Sequence, residues 1–192
     1  MAATSAFHLR HATPADIPAL LALVEQSVRG LQAGDYSPAQ IDASIGSAFG
    51  IDRQLIADQT YFVATPIDAP ETLVACGGWS YRKTLCGSDT LRDSHGNLAR
   101  DASVLSPGDP TAFAKIRAIF VHPGWARRGL GSLVLAHSEA AAHAAGFTRF
   151  EMGSTLTGVP LYALKGYVET RRSQLDLPHG ERLEIVHMKK TL

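Results

Sequence analysis

The stretch that most constrains the fold of this chain is residues 115–132, KIRAIFVHPGWARRGLGS. Residues 116–121 have the composition of a buried strand, and a turn at Pro123-Gly124 follows. A loop rich in arginine and glycine then leads directly into a helix. Glycines let the backbone come close to a ligand, and the first N–H groups of a helix have no partner within it. The stretch therefore predicts an anion site, and a pyrophosphate is its expected ligand.

The two commonest nucleotide-binding motifs do not fit this loop. A dinucleotide fingerprint requires a third glycine at the position of Val134, and no run in the chain ends in the Lys-Ser/Thr of a P-loop. Residues 153–158 have the P-loop spacing, but Val159-Pro160 follows them. An ordinary tight strand-to-helix turn is the alternative explanation.

The loop resembles motif A of the GNAT superfamily, the acetyl-CoA-dependent N-acetyltransferases, whose pattern is Arg/Gln-x-x-Gly-x-Gly/Ala. Ala126 occupies the position of the leading Arg/Gln, and an arginine follows one residue later. The resemblance implies acetyl-CoA as cosubstrate, with its pyrophosphate held by the main chain of residues 127–132. The residues implied are Arg127, Arg128, Gly129, Leu130, Gly131 and Ser132.

A second stretch, LYALKGY at residues 161–167, resembles motif B of the same superfamily, aromatic/aliphatic-Tyr-x-x-x-Gly-Phe/Tyr. The resemblance makes Tyr162 the catalytic general acid that protonates the departing coenzyme A thiolate. A phenol of pKa about 10 is protonated at neutral pH and can donate to a thiolate of intrinsic pKa about 8.5. The structural alternative is a tyrosine packed on a helix end with its hydroxyl satisfied.

The resemblance also places the pantetheine arm of the coenzyme along the strand before the loop. There the arm would hydrogen-bond the main chain of Ile119 and Val121, much like an added strand. Thr155 stands seven residues before Tyr162, where the family commonly has an asparagine, and its hydroxyl could partly replace that amide.

Acetyl transfer requires a neutral amine, so some group must accept a proton. In the histone-acetylating members a glutamate serves as the base, and Lys115 occupies its position here. Glu25, His122 and Glu151 remain candidates. The structural alternative is a solvated helix residue for Glu25, a turn residue for His122 and an ion-pair partner of Arg149 for Glu151. Deprotonation through water, with no dedicated base, is equally consistent with the sequence.

Lys115 and Arg117 alternate with apolar residues and therefore share one face of their strand. If that face borders the acceptor cleft, the two cations would suit a carboxylate-bearing amine, such as an amino acid or dipeptide. The alternative is pairing with acids of the 87–112 segment, which are Asp89, Asp93, Asp101 and Asp109.

The order of elements predicts an α/β fold in which a mixed, mostly antiparallel sheet carries helices on both faces. This order matches the GNAT fold over nearly the whole chain, so residues 1–192 are expected to form a single domain.

Gly77-Gly78 suggests a bulge or a close backbone approach. The polar, turn-rich segment 87–112 is typical of a lid or a disordered insertion. Strands are predicted at 7–10, 61–66, 72–83, 116–121, 149–154, 167–177 and 182–189, and helices at 14–32, around Ile41 and Ile45, just before Asp58, at 129–145 and at 159–165.

Composition excludes several other classes. Lys+Arg and Asp+Glu both number 18, so nothing supports a nucleic-acid-coating surface. The histidines and the two cysteines, Cys76 and Cys86, have no metal-ligand spacing and cannot build a disulfide framework. The N-terminus has no apolar signal region and no run is long enough to span a membrane, so we expect a cytoplasmic protein without metal.

The sequence therefore favours an N-acetyltransferase that moves an acetyl group from acetyl-CoA to a primary amine of a small molecule by direct attack. The alternatives are a non-catalytic acyl-CoA-binding or regulatory module, a protein or peptide N-acetyltransferase, and an enzyme with a longer acyl donor. A homodimer is expected from the family resemblance alone.

Overall fold

A computed structural model of the chain describes residues 6–85, 88–89, 101 and 103–192. The elements follow the predicted order, and most boundaries lie within two or three residues of prediction. The main difference is the third strand, which is six residues long rather than extending over 72–83. The elements are β1 (Phe7–His11), α1 (Ile17–Leu31), α2 (Pro38–Ser44), α3 (Arg53–Ala57), β2 (Tyr61–Pro66), β3 (Ala75–Ser80), β4 (Ala114–Val121), α4 (Leu130–Ala144), β5 (Arg149–Ser154), α5 (Val159–Leu164), β6 (Val168–Asp176) and β7 (Arg182–Thr191).

The start of α1 shows how local chemistry sets a boundary. The Asp16 carboxylate accepts the main-chain N–H of Thr13 at 2.7 Å and the Thr13 hydroxyl at 2.9 Å. The Arg10 guanidinium binds the same carboxylate and lowers the pKa of Asp16 to about 2. The first turn, Pro14–Asp16, is a 3-10 turn that precedes the α-helix proper. The helix predicted from residue 14 is therefore present, with a tighter first turn.

The seven strands form one sheet in the order β1-β2-β3-β4-β5-β7-β6. Every neighbouring pair is antiparallel except β4 and β5, which run parallel. Side chains alternate along β2, so that Tyr61 and Val63 pack with α1, α2 and α3 while Ala64 packs with α4. Helices thus cover both faces, and the predicted fold class is confirmed.

The centre of the sheet is irregular where β3 meets β4. Two residues of β4, Ala118 and Ile119, stand opposite Gly77 alone, and Ala118 has a left-handed φ of 52°. The buried Tyr61 hydroxyl donates to the Ala118 carbonyl at 2.9 Å and so holds this bulge in place. The irregularity predicted at Gly77-Gly78 is confirmed, although the extra residue belongs to β4. A Cβ on Gly78 would lie 2.1 Å from the Thr60 carbonyl oxygen, which explains the need for glycine there.

β4 and β5 separate before β4 reaches this bulge. Their pairing consists of Ala114 opposite Phe150 and Lys115 opposite Glu151, and it ends there. Because the two strands diverge in the middle of the sheet, a gap opens between them that side chains from both faces can line.

Half of the predicted lid at 87–112 lies outside the described residues, as does Cys86. Of that segment, residues 88–89, 101 and 103–112 are described, and Val104 forms an isolated antiparallel bridge with Arg82. Cys76 is a buried thiol in β3. In the described ranges, no helix is both long and apolar enough to cross a bilayer.

Candidate active site

The connection between β4 and α4 forms a cradle of main-chain donors, which we define as the N–H groups of residues 127–132. On one side, the Ala126 N–H donates to Pro123 O at 3.1 Å; on the other, the Leu133 N–H donates to Gly129 O at 2.9 Å. Within the described part of the chain, the six N–H groups between them make no main-chain hydrogen bond. They lie at the positive end of a helix of fifteen residues. Such an arrangement suits a phosphate or pyrophosphate.

Left-handed backbone at two positions turns the chain to expose these donors. Arg127 has a φ of 64° and Gly129 a φ of 82°, a conformation that favours glycine. At Gly131, a Cβ would lie 3.0 Å from Leu161 Cδ2, so the first turn of α4 packs tightly against α5. The two segments that carried the family resemblance are therefore in contact.

The rim of the cradle carries positive charge. The side chains of Arg127 and Arg128 are exposed, and neither has a carboxylate at ion-pair distance among the described residues. The Arg128 guanidinium lies 4.7 Å from the centre of the Trp125 ring. A cation–π contact of this kind restrains the side chain without neutralising its charge.

The gap between β4 and β5 contains a cavity, which we call the cleft. Its lining comes from the core clusters on both faces of the sheet, so the cleft passes between the diverging strands. The described residues that line it are Gln32, Ala48, Phe49, Gly50, Leu85, Ile116, Arg117, Ala118, Ile119, Phe120, Met152, Gly153, Ser154, Thr155, Tyr162, Leu175 and Ile185.

Tyr162 lies on α5 at the edge of the cleft with 9% of its surface exposed. Its ring packs edge-to-face on Tyr167, with 6.0 Å between ring centres. A Cβ on Gly158 would lie 2.8 Å from Tyr162 Cε2, so that glycine gives the ring its space. Burial raises the pKa of Tyr162 to about 12, which keeps the hydroxyl protonated at neutral pH. No described residue hydrogen-bonds this hydroxyl, so the alternative of a satisfied structural tyrosine does not describe it.

The other predicted coenzyme residues differ in how available their polar groups are. Ile119 lies in the bulge, without a cross-strand partner in either neighbouring strand. Val121 N–H already donates to Ser27 Oγ of α1 at 3.2 Å, which leaves its carbonyl as the available group. Thr155 precedes the 3-10 turn at Leu156–Gly158, and its hydroxyl makes no hydrogen bond to a described residue.

None of the three candidate bases lines the cleft. Glu25 binds Arg29 at 2.9 Å and shares a separate groove with His122, whose Nδ1 accepts the Gly124 N–H at 3.0 Å. Glu25 is therefore an exposed helix residue and His122 a turn residue, as the structural alternatives stated. Glu151 is an ion-pair residue as well, but its partners are Lys115 and Lys189 rather than Arg149.

The cations of β4 are paired, and their partners among the described carboxylates are not the acids that the sequence suggested. Lys115 binds Glu151 of the neighbouring strand. Arg117, 4% exposed, donates to the equally buried Asp52 carboxylate at 3.1 Å and to the Thr84 carbonyl at 2.9 Å. Asp89 binds Arg53 at 3.3 Å, and Asp93 lies outside the described residues. No sequence motif pointed to Asp52 or Gln32. Both are distant from β4 in sequence, and only the packing of the helices brings them close to the cleft.

In the described ranges, no group of three or more His, Cys, Asp or Glu side chains is placed to hold a metal ion.

A sheet that splits between two central strands, with an anion cradle at the start of the following helix, defines a GNAT-type acyltransferase fold. Comparison with known proteins confirms the resemblance. Residues 102–192 match the family model described as an acetyltransferase (GNAT) domain. No curated protein sequence matches the chain significantly.

Solved structures extend the agreement to the whole chain. A GCN5-related N-acetyltransferase from Rhodopseudomonas palustris has 20% identity and a TM-score of 0.68, covering 100% of this chain and 99% of that one. The PaiA N-acetyltransferase from Thermoplasma acidophilum, in complex with coenzyme A, has 13% identity and a TM-score of 0.62, with coverage of 98% and 100%. A ribosomal-protein-alanine N-acetyltransferase from Brucella melitensis has 16% identity and a TM-score of 0.61, with coverage of 96% and 99%. At these identities the likeness establishes the fold.

Proposed function

We propose that this protein transfers an acetyl group from acetyl-CoA to the primary amine of a small molecule. One observation carries the proposal: six consecutive N–H groups without a main-chain partner follow β4, and the Tyr162 hydroxyl, which no described residue binds, lines the cleft between β4 and β5. The contact of Gly131 with Leu161 brings the cradle and the Tyr162 segment together. The cradle suits the pyrophosphate of the coenzyme, and the cleft beside Ile119, which has no cross-strand partner, suits its pantetheine arm.

The proposed reaction is direct attack. The bound coenzyme supplies an activated thioester. The amine nitrogen forms a bond to the acetyl carbon, the carbon–sulfur bond breaks, and the electron pair leaves on sulfur. Tyr162 gives its proton to this thiolate and regains one from solvent. The amine nitrogen loses one proton to water, so the products are an N-acetyl amide and free coenzyme A.

Deprotonation through water fits the cleft better than a dedicated base. Its described lining contains no carboxylate and no imidazole. Glu25 and His122 face another groove, and Glu151 is held by two lysines. In this proposal the protein selects the neutral form of the amine, and water carries the released proton away.

The first test is a thermal-shift titration with acetyl-CoA, coenzyme A and ATP, followed by thiol release against a panel of amines. We expect stabilisation by both coenzyme A species, because a ligand that binds only the folded state raises the melting temperature. ATP should stabilise less, since it has no pantetheine arm to lie in the cleft. Absence of any shift with acetyl-CoA at about millimolar concentration, some hundredfold above an ordinary substrate affinity, would contradict the proposal.

A second prediction concerns the charged rim of the cradle. The double change Arg127→Ala/Arg128→Ala is expected to raise the Kd for coenzyme A about 10- to 100-fold, because charge-assisted hydrogen bonds to phosphate are lost. The salt dependence of binding should weaken as well. Calorimetric titration at low and high salt measures both effects.

The matched control is Arg171→Ala/Arg172→Ala, which removes the same charge from β6, on the edge of the sheet. If both double variants weakened binding equally, net charge rather than the cradle would be responsible.

A cytoplasmic location and a homodimer remain predictions from the sequence.

A further inference from the structure

The side chain of Gln32 lines the cleft and is buried without a hydrogen-bond partner among the described residues. Gln32 ends α1, and its main chain is fully used: its N–H donates to Val28 O at 3.1 Å, and its carbonyl accepts from Asp35 and Tyr36. The residue is 6% exposed and lines the cleft. Its Oε1 is buried without a hydrogen-bond partner, and no described residue binds its amide nitrogen either.

A buried amide that hydrogen-bonds nothing is rare, because folding removes it from water without compensation. Such a group is retained where a ligand supplies the missing partner. A half-turn about the last side-chain bond exchanges the oxygen and the nitrogen, so either end of this amide can face the cavity. The carbonyl end can accept an N–H from a neutral amine while leaving the nitrogen lone pair free for attack.

The rest of the described lining of the cleft indicates what the amine is attached to. Arg117 is the only charged side chain in the described lining, and the Asp52 carboxylate at 3.1 Å balances its charge. Apolar side chains of the core cluster that includes α1 also line the cleft: Ala48, Phe49, Leu175 and Ile185. A free carboxylate on the acceptor would lose its hydration here without gaining an unpaired cation.

We propose that Gln32 positions the acceptor amine, and that the acceptors are primary amines with an apolar body and no carboxylate. The inference rests on the proposed function and narrows its substrate class. It replaces the expectation of an amino acid or dipeptide, which depended on Lys115 and Arg117 being available to the substrate.

The test uses two matched pairs of probes: 2-phenylethylamine with phenylalanine, and 3-methylbutylamine with leucine. Within each pair, the amino acid differs from the amine only by its carboxylate. Thiol release by the full chain should show kcat/KM at least about tenfold higher for the amine of each pair, as expected for an uncompensated buried charge. A higher kcat/KM for phenylalanine or leucine would overturn the substrate class.

Gln32→Met tests the positioning role, because methionine keeps the length of the side chain and removes the hydrogen-bonding group. We expect the KM for 2-phenylethylamine to rise about tenfold, the KM for acetyl-CoA to stay within about twofold, and the melting temperature to stay equal or rise. A purely structural role would lower the melting temperature or shift both KM values together, and either result would overturn the inference. Gln26→Met, an exposed change on the same helix, is the control.

The outcomes distinguish a failure of the proposed acetyltransferase function from a failure of the inference about Gln32. If the wild-type protein binds coenzyme A but releases thiol with no amine in the panel, the proposed function fails and this inference fails with it. If amines are acetylated and Gln32→Met leaves their KM unchanged, only the inference fails.

Discussion

Replacing Tyr162 with phenylalanine is expected to lower kcat by about 100- to 10,000-fold, the range that a positioned general acid contributes. The affinity for coenzyme A should change little, because the cradle donors belong to residues 127–132. Stability should be almost unaffected, since the ring that packs on Tyr167 is retained and the lost hydroxyl binds no described residue. Thiol-release kinetics, calorimetric titration of coenzyme A and a melting curve measure the three quantities.

Tyr167→Phe is the control for this change, because it removes a neighbouring buried hydroxyl that does not line the cleft. Its kcat should remain close to that of the unmodified protein. If Tyr162→Phe kept more than about half of the activity, Tyr162 would be a packing residue, and the rate would have to come from positioning alone. If kcat and coenzyme affinity fell together, the change would have distorted the cleft.

Replacing Arg117 with alanine is expected to destabilise the fold by about 3–5 kcal/mol, the usual cost of removing one partner of a buried ion pair. The change leaves Asp52 buried without its guanidinium partner. Asp52 also accepts the Gln54 N–H at 3.0 Å at the start of α3, so disturbance there should extend into that helix. The free energy of unfolding from urea denaturation provides the measurement.

Two further variants make this prediction specific. Arg29→Ala removes an exposed arginine with two carboxylate partners and should change stability little, because exposed pairs are screened by water. The double change Arg117→Met/Asp52→Asn removes both buried charges and keeps a capping acceptor, so it should cost less than Arg117→Ala. An Arg117→Ala protein as stable as the unmodified one would show that the pair is not buried in solution.

The sequence predicted the elements well where the signals are local. Capping residues, apolar periodicity and glycine at helix ends act within a few residues of one another, so they can be recognised from the sequence alone. The limits of β3 were less accurate, because pairing across the sheet and not composition decides where a strand ends.

The same distinction between local signals and tertiary packing applies to the residues of the candidate site. The cradle and the Tyr162 segment could be predicted because each is a short run of neighbouring residues. In the structure Tyr162 lines the cleft, and Gly131 of the cradle packs against Leu161 beside it. The three candidate bases were chosen by residue type, and tertiary packing directed all three away from the cleft.

The sequence by itself therefore determined the α/β fold, the anion loop before α4 and the tyrosine that follows it, because these depend on neighbours along the chain. Only the tertiary structure decided that Asp52 neutralises Arg117, that Glu151 holds Lys115, and that the Gln32 carbonyl oxygen is buried without a partner. The two ion pairs join residues far apart in sequence, and the burial of Gln32 likewise depends on elements that packing brings together.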